Sequence, residues 1–401
     1  MDIVIIGGGV AGVASAIALR QQGFSVRVLE RHREKTNIGA GIVVWPNAAF
    51  VLDRLGVLAE METVGGRPVA MRRRSNAGED LGSLDITLID NRMGYPSLSV
   101  LRTEFQDILL RRLSTLGVEV EYGTAVERLA TSEAGRARVL LAREEMLEAD
   151  VIIGADGRMS SRARLYVKGD NAPVYQGFIN WIGVVESEDP MFDDIAVTDY
   201  WGVGERFGIV PVSAHKGYWA GGAASMEIQA NAPDRYKAEL AALFASWPEA
   251  VRRVIDATPV QRINKIHVHD HDPMPRWHRD NVIAIGDASH ASLPTSGQGA
   301  CQALEDGWHL ANCLAGHPGD PRRAFEAFTE LRLEKTRAVT MTGRAIAASL
   351  FSRDEQACLR RNEASKASDF SALAAGMARG WSQHLPLAQE AGDLRTGPGQ
   401  G

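Results

Sequence analysis

Cysteine is scarce in this chain. Cys301, Cys313 and Cys358 are the only three among 401 residues, too few and too unevenly spaced for a disulfide framework. No Cys-x-x-Cys pair marks a zinc or dithiol site. Long apolar runs are missing too, so no segment reads as a membrane-spanning helix. The opening Met1-Asp2-Ile3-Val4-Ile5-Ile6-Gly7 lacks the basic flank of a secretory signal and reads as a buried strand. There is no surplus of basic charge: 44 Lys and Arg stand against 50 Asp and Glu, a formal charge of −6. That excludes a general polyanion binder, nucleic acid included. No repeat of solenoid period is present. What remains is a globular chain, 45% hydrophobic, with enough apolar residues for a large core. It is expected in the reducing cytoplasm, as a monomer or homodimer, acting on a small molecule.

The apolar pattern begins in the βαβ manner: a strand at 2–6, a glycine turn, an alanine-rich helix to about residue 22, and a second strand at 25–29. Two further apolar runs end in Asp-Gly or Gly-Asp, Ala149–Gly157 and Asn281–Asp287. Three such separated strands predict one doubly wound sheet assembled from distant segments. Between the second and third, residues 172–272 are rich in alternating, aromatic and β-branched positions, as in Phe207-Gly208-Ile209-Val210-Pro211-Val212, and predict an antiparallel sheet. Beyond residue 300 the period becomes helical.

Gly7-x-Gly9-x-x-Gly12 follows a strand and opens a helix, where a dinucleotide site needs it. The first glycine permits the turn, the second lets backbone approach a pyrophosphate, and the third lets helix and strand pack closely. The helix N-terminus then faces the phosphates. Glu30, ending the next strand, suits the ribose hydroxyls of an adenosine. The alternative is a merely tight turn. Gly202-Val203-Gly204-Glu205-Arg206-Phe207-Gly208 has the wrong spacing and no alanine-rich helix after it. His267, His269 and His271 alternate on a strand, but no cysteine completes a site, so no metal is expected.

Together, Gly7-x-Gly9-x-x-Gly12, Asp156-Gly157 and Gly286-Asp287 resemble the three fingerprints of the single-component (group A) FAD-dependent aromatic hydroxylases, the family of para-hydroxybenzoate, salicylate and urate hydroxylases. The resemblance spans roughly residues 2–340. It implies an α/β fold with three parts: a Rossmann-like FAD-binding domain of the para-hydroxybenzoate hydroxylase kind, an antiparallel β-sheet substrate domain, and C-terminal helices. The expected division is 1–70, 98–171 and 273–340 for FAD, and 71–97 with 172–272 for the substrate sheet. Residues 341–385 would form the C-terminal helices and 386–401 a flexible tail. It further implies FAD as cofactor, NADH or NADPH as transient reductant, and dioxygen delivered to an aromatic ring through a flavin 4a-hydroperoxide. On the cofactor side it assigns Gly7, Gly9, Gly12, Glu30, Arg31, Arg102, Gln106, Asp156 and Asp287. Gly39-Ala40-Gly41-Ile42 with Pro46-Asn47, and Pro294 with Gly297-Gln298-Gly299, match loops beside the flavin. Asp156 would touch both FAD and the reductant. The family arginine of the Asp-Gly-x-x-Ser-x-x-Arg spacing falls on Ala163, between Arg162 and Arg164. No second glycine fingerprint is present, which disfavours two-dinucleotide reductases and Baeyer–Villiger enzymes, and no Trp-x-Trp-x-Ile-Pro element marks a halogenase.

Within the family the chain is most similar to the urate hydroxylase branch, through Asn180-Trp181-Ile182-Gly183-Val184-Val185-Glu186, Arg206 ahead of Ile209-Val210-Pro211-Val212-Ser213, and Tyr218. The likeness implies that Arg206 and Tyr218 face the substrate, with Pro294 on the flavin loop. The other reading makes Tyr218 core sheet and Arg206 a surface turn residue. Thr295 stands where that branch carries an aspartate, so a carboxylate base is missing there and the ring need not be urate; His290 lies near the loop and is able to assist. Two rival functions remain: an epoxidase or reductase on a non-aromatic substrate, and a flavin-bound sensor without turnover.

Overall fold

The computed structural model describes residues 1–35, 40–132, 135–228 and 231–387. The three separated apolar runs do lie side by side. Asp2–Ile6 pairs in parallel with Val151–Gly154, and Val151–Gly154 with Val282–Ala284, the registers being Ile3 to Val151 and Ile152 to Val282. On its other flank Asp2–Ile6 pairs with Ser25–Glu30, which pairs with Val120–Tyr122. The short strand His278–Arg279 closes the six-stranded sheet antiparallel. The central strands, from Ile3 to Ile6, Val151 to Gly154 and Val282 to Ala284, are buried on both faces, as continuous Val/Ile runs require in a parallel sheet. Helix Val10–Gln21 packs against the sheet and against helix Gly299–Gly316. A three-stranded meander, Val126–Thr131, Ala137–Leu141 and Met146–Ala149, flanks this layer.

The second sheet has seven strands in the order Ile263–Asp270, Val174–Glu186, Lys216–Ala224, Glu205–Pro211, Ala196–Trp201, Ala70–Ser75, Asp80–Asp85. Its pairs are antiparallel except one: Ala196–Trp201 runs parallel to Ala70–Ser75, because the latter enters from a distant part of the chain. Strand alternation gives the sheet two unlike faces. Ile179, Trp181, Phe207, Ile209 and Trp219 point outward and are sealed by helices Tyr236–Leu243 and Glu249–Ala257, with the Phe207 and Trp219 rings stacked at 5.3 Å. Asn180, Ile182, Val184, Arg206, Gly208, Val210, Tyr218, Ala220 and Gly222 point to the other side. Helices Pro321–Leu350, Glu355–Lys366 and Phe370–Trp381 complete the chain. Among the described residues no helix is long and apolar enough to cross a membrane.

Between the helices lies a charge network that the residue pattern did not announce. Glu305 and Asp306 on helix Gly299–Gly316, and Arg332 and Lys335 on helix Pro321–Leu350, are all buried. Arg332 donates through Nε to Asp306 Oδ1 at 2.8 Å and through Nη1 to Glu305 Oε2. Lys335 Nζ reaches both Glu305 oxygens at 2.9 and 3.0 Å and the carbonyls of Trp381 and Gln383 at 2.6 and 3.0 Å. Asp306 Oδ2 accepts the Gly286 amide at 2.8 Å and lies 2.6 Å from His290 Nε2. Asn47 Nδ2 donates to Glu305 Oε1 at 2.7 Å and to Gln298 Oε1 at 2.9 Å. Burial opposes the charge on Asp306, yet His290 and Arg332 outweigh it and hold its pKa at about 2. In the same way Arg332 and Lys335 overcome the burial of Glu305 and keep its pKa below the ordinary value.

His309, on the same helix, is held neutral: burial and then the Arg332 charge lower its pKa from 6.5 to about 3. An unfolded chain protonates this histidine near its ordinary value, so between those limits the unfolded state binds one proton more than the folded one. The associated stability is complete above pH 6.5 and is lost as the pH falls toward 3, at up to about 1.4 kcal/mol per pH unit. Thermal unfolding followed across this window should show the midpoint falling on acidification, and His309→Gln should flatten that dependence.

Candidate active site

The glycine turn is shaped by close approach. A Cβ on Gly12 would lie 1.9 Å from the Gly7 carbonyl oxygen, and Gly7 itself sits at φ +109°, so neither position accepts a side chain. Gly9 is different: a Cβ there would meet nothing within 4 Å, and it is the N-cap of helix Val10–Gln21 without any side-chain cap. The helix therefore presents free amides to an open groove. Gln106 Nε2 holds the Gly8 carbonyl at 2.8 Å. Glu30 accepts the Gly8 amide through Oε2 at 2.8 Å and the His32 amide through Oε1 at 2.9 Å. Arg31 is exposed and donates to Ser160 Oγ. Arg102 opens helix Arg102–Thr115 at the groove, reachable by solvent yet walled by protein; burial lowers its pKa, with the Asp287 charge opposing and Arg158 adding.

The second fingerprint looks inward. Asp156 Oδ1 accepts Ser161 Oγ at 2.5 Å, and Oδ2 accepts the amides of Arg162 and Ala163 at 2.5 and 3.2 Å, so the carboxylate caps its own following helix instead of facing the groove. The arginine missing from position 163 reappears one residue later. Ala163 packs where a Cβ on Gly154 would lie 1.9 Å from its own Cβ, leaving no room for a longer side chain. Ser161 is the N-cap, and Arg164, fully buried, donates to the carbonyls of Ala288 and Ser289 at 3.2 Å and of Asp272 at 3.1 Å. It braces the third fingerprint against the second, away from solvent. Arg158, which sequence reasoning passed over, pairs with Asp287 at 2.9 Å across the same two segments. Its only signal was its place directly after Asp156-Gly157.

Pro294 and Gly297 are exposed, as a backbone wall beside a ligand should be. Gln298 is 1% exposed, and its side chain joins the buried network through Asn47 and Gln302, so only its main chain is left for the loop's groove side. Gly299 begins the helix beneath. Thr295 is not turned to the groove, because its hydroxyl donates to the Gly343 carbonyl at 2.7 Å. His290 is likewise spent on Asp306. Trp45 Nε1 donates to the Gly297 carbonyl at 2.8 Å, tying the loop to strand Gly41–Val44. On that strand Gly41 lies under Tyr218: a Cβ would fall 2.2 Å from the ring. Gly39 lies outside the described residues, as do residues 388–401 of the tail expected over 386–401, while Leu387 is buried.

Tyr218 and Arg206 share the inner face of the seven-stranded sheet. Arg206 is opposite Gly222, which is opposite Asn180; Val210 is opposite Tyr218, which is opposite Val184. The two rows are about 13 Å apart along the strands. The guanidinium leans over Gly208, whose Cβ would lie 2.8 Å from Nη2, and Gly208 is two residues along the strand from Val210 in the tyrosine row. Ala220 and Ile182 floor the space between. The Tyr218 hydroxyl is buried without a partner, close to Cys301, and burial raises its pKa above the ordinary range. The histidines do not assemble: His269 Nδ1 contacts the His267 carbonyl and His271 Nε2 the Arg158 carbonyl. Two cavities elsewhere, about 720 Å³ beside Trp308 and His309 and about 370 Å³ beside Arg72 and Tyr200, include none of these residues.

An uncapped helix start, an open Gly9 and an orphaned hydroxyl over Gly41 fit an extended flavin nucleotide. The FAD binding domain family matches residues 1–340. The chain belongs to this family. It is 30% identical over 347 residues to an FAD-dependent urate hydroxylase of Mycolicibacterium vanbaalenii, covering 86% of this chain and 87% of that one. It is 32% identical over 373 residues to a 3-amino-4-hydroxybenzoate 2-monooxygenase of Streptomyces cremeus, covering 91% of each. The crystal structure of Klebsiella pneumoniae HpxO complexed with FAD and uric acid superposes with a TM-score of 0.88 at 28% identity, over 96% of this chain and 97% of the other. The chain is thus an FAD-dependent monooxygenase with the fold expected of the aromatic hydroxylases. Since Arg164 ties two fingerprints together, Arg164→Ala should lower the unfolding free energy by about 3 kcal/mol or more in urea titrations, leaving buried carbonyls unpaired.

Proposed function

We propose that this monooxygenase consumes NADH or NADPH and dioxygen to hydroxylate an aromatic or heteroaromatic small molecule of urate, salicylate or pyridine type. The observation that carries this reading is the shared sheet face, with a guanidinium over Gly208 and, in the next inward row but one along the strand register, a tyrosine packed over Gly41. Gly7, Gly9 and Gly12 hold the pyrophosphate through backbone amides, and Glu30 takes the adenosine ribose with Arg31 beside it. Arg102, Gln106 and Asp287 line the ribityl–phosphate stretch, and Gly41, Pro294, Gly297 and Gly299 let main chain approach the ring system. Asp156 and Gln298 serve the cofactor indirectly, by shaping the turns on which it rests. Bound FAD supplies hydride acceptance and oxygen activation.

The protein's own residues place the substrate and keep water out. Arg206 pairs with acceptor atoms on the substrate ring, and Tyr218, with its hydroxyl walled in, forms the opposite end. Thr295 and His290 are already bonded within the protein, so neither serves as base, and a substrate that is ionised or electron-rich on its own is the better match. Three buried, unpaired cysteines suit a reducing compartment, and we place the enzyme in the cytoplasm.

A panel of phenols, salicylates, pyridines and purines, scored by substrate-stimulated NAD(P)H oxidation with product analysis, tests the function. Stimulation by one ring class with oxygen incorporation supports it. Turnover only with non-aromatic substrates, or none at all with FAD bound, replaces it with an epoxidase, a reductase or a sensor. Arg206→Ala should retain its FAD and raise KM about 10- to 100-fold, the value of one or two charge-assisted hydrogen bonds.

A further inference from the structure

Residue 295 is a threonine, and the inner face of the seven-stranded sheet carries a carboxylate of its own. Asp199 sits opposite Gly208 on the inner face, and its Oδ1 lies 2.6 Å from Arg206 Nε. Oδ2 accepts Trp201 Nε1 at 2.7 Å, which fixes the carboxylate plane. Asp199 Oδ1 and Arg206 Nε are shielded from solvent, and the N–H is not aimed along the line between them. Both groups overhang Gly208: a Cβ there would be 2.8 Å from Arg206 Nη2 and 3.5 Å from Asp199 Oδ1. Two further arginines crowd the carboxylate. Arg73 and Arg361 place their guanidinium carbons 5.3 Å from the Trp201 ring, one on each partner element, and both feel the Asp199 charge.

We infer that Asp199 is the positioning residue of the substrate site: it holds Arg206 by the Nε edge so that Nη1 and Nη2 form a two-donor fork over Gly208. The inference rests on Arg206 being the ring contact. Asp199 Oδ1 is screened by Arg206, so the carboxylate acts through the guanidinium and not on the ring. A fork held in this way selects substrates with two adjacent acceptor atoms, a ring carboxylate or the N–C–O edge of a hydroxylated heterocycle. Without the carboxylate, Arg206, Arg73 and Arg361 all lose the charge they face, and the fork loses its direction.

Asp199→Asn keeps the side-chain volume and removes the charge. In the FAD-loaded enzyme, titration of the flavin absorbance with salicylate and with urate reads binding without turnover. The expected result is a dissociation constant raised about tenfold or more for whichever ring binds the parent, a KM raised more than kcat is lowered, and unchanged FAD content; Asp199→Glu should recover part of the loss. Gly208→Ala presses on the guanidinium from below and should weaken binding in the same direction, which decides the matter if Asp199→Asn does not fold. Binding and KM within twofold of the parent in both variants overturn the inference while leaving the function intact. If neither probe binds the parent and no ring of the panel stimulates it, the function itself fails and the role of Asp199 with it.

Discussion

The buried pairing of Glu305 and Asp306 with Arg332 and Lys335 is the interaction on which the remaining architecture leans. Four charges without water are costly unless each is matched, and here nearly every oxygen and nitrogen finds a partner. The partners are what make the network consequential. Gly286 brings in the third fingerprint, Asn47 the segment after the Gly41 strand, Gln298 the flavin loop, and Trp381 with Gln383 the last helix. Three parts of the chain at the groove, together with the last helix, are registered against one another by electrostatics that tolerate little displacement. An apolar core would hold these parts together; directed hydrogen bonds also set their orientation.

A second constraint is the contrast between the two faces of the seven-stranded sheet. Its outward face carries large aromatics that demand cover and receive two helices. The inward face mixes glycines and alanine with Arg206, Asp199, Asn180 and Tyr218, a combination unable to pack tightly on its own. Small residues there make room for the Arg206 guanidinium over Gly208 and for Phe351 over Gly222, while the buried outer face supplies stiffness beneath them. The groove thus has a rigid floor from one sheet and a backbone roof from the strand and loop of the other.

Thr295 and Ala163 illustrate how local departures from a family pattern are resolved in three dimensions. Each looks like a lost functional group in one dimension. Thr295 is bonded to helix Pro321–Leu350, and the carboxylate on the sheet's inner face, Asp199, is spent on Arg206. Ala163 fits beside Gly154 where a longer side chain would not, and the neighbouring Arg164, three residues past the Ser161 cap, is buried as a brace between two fingerprints.

Much of this was legible along the chain. The parallel sheet followed from three apolar strands with glycine ends, because continuous Val/Ile runs are stable only when covered on both faces. The dinucleotide turn followed from Gly7, Gly9 and Gly12, whose spacing is a matter of local backbone geometry. What the chain order did not disclose depends on contacts between remote positions. The Asp156 side chain was expected at the cofactor and instead caps a helix, and Gln298, expected on the flavin loop, sends its side chain into the network, a choice between two neighbours that residue type does not decide. The Glu305–Arg332 pairing, the Arg158–Asp287 bridge and the seat of Arg206 over Gly208 likewise join segments 27 to 129 residues or a strand pair apart. Periodicity and turn chemistry are local and so are written in the sequence by itself; which buried charge meets which is set only when the folded chain removes water from between them.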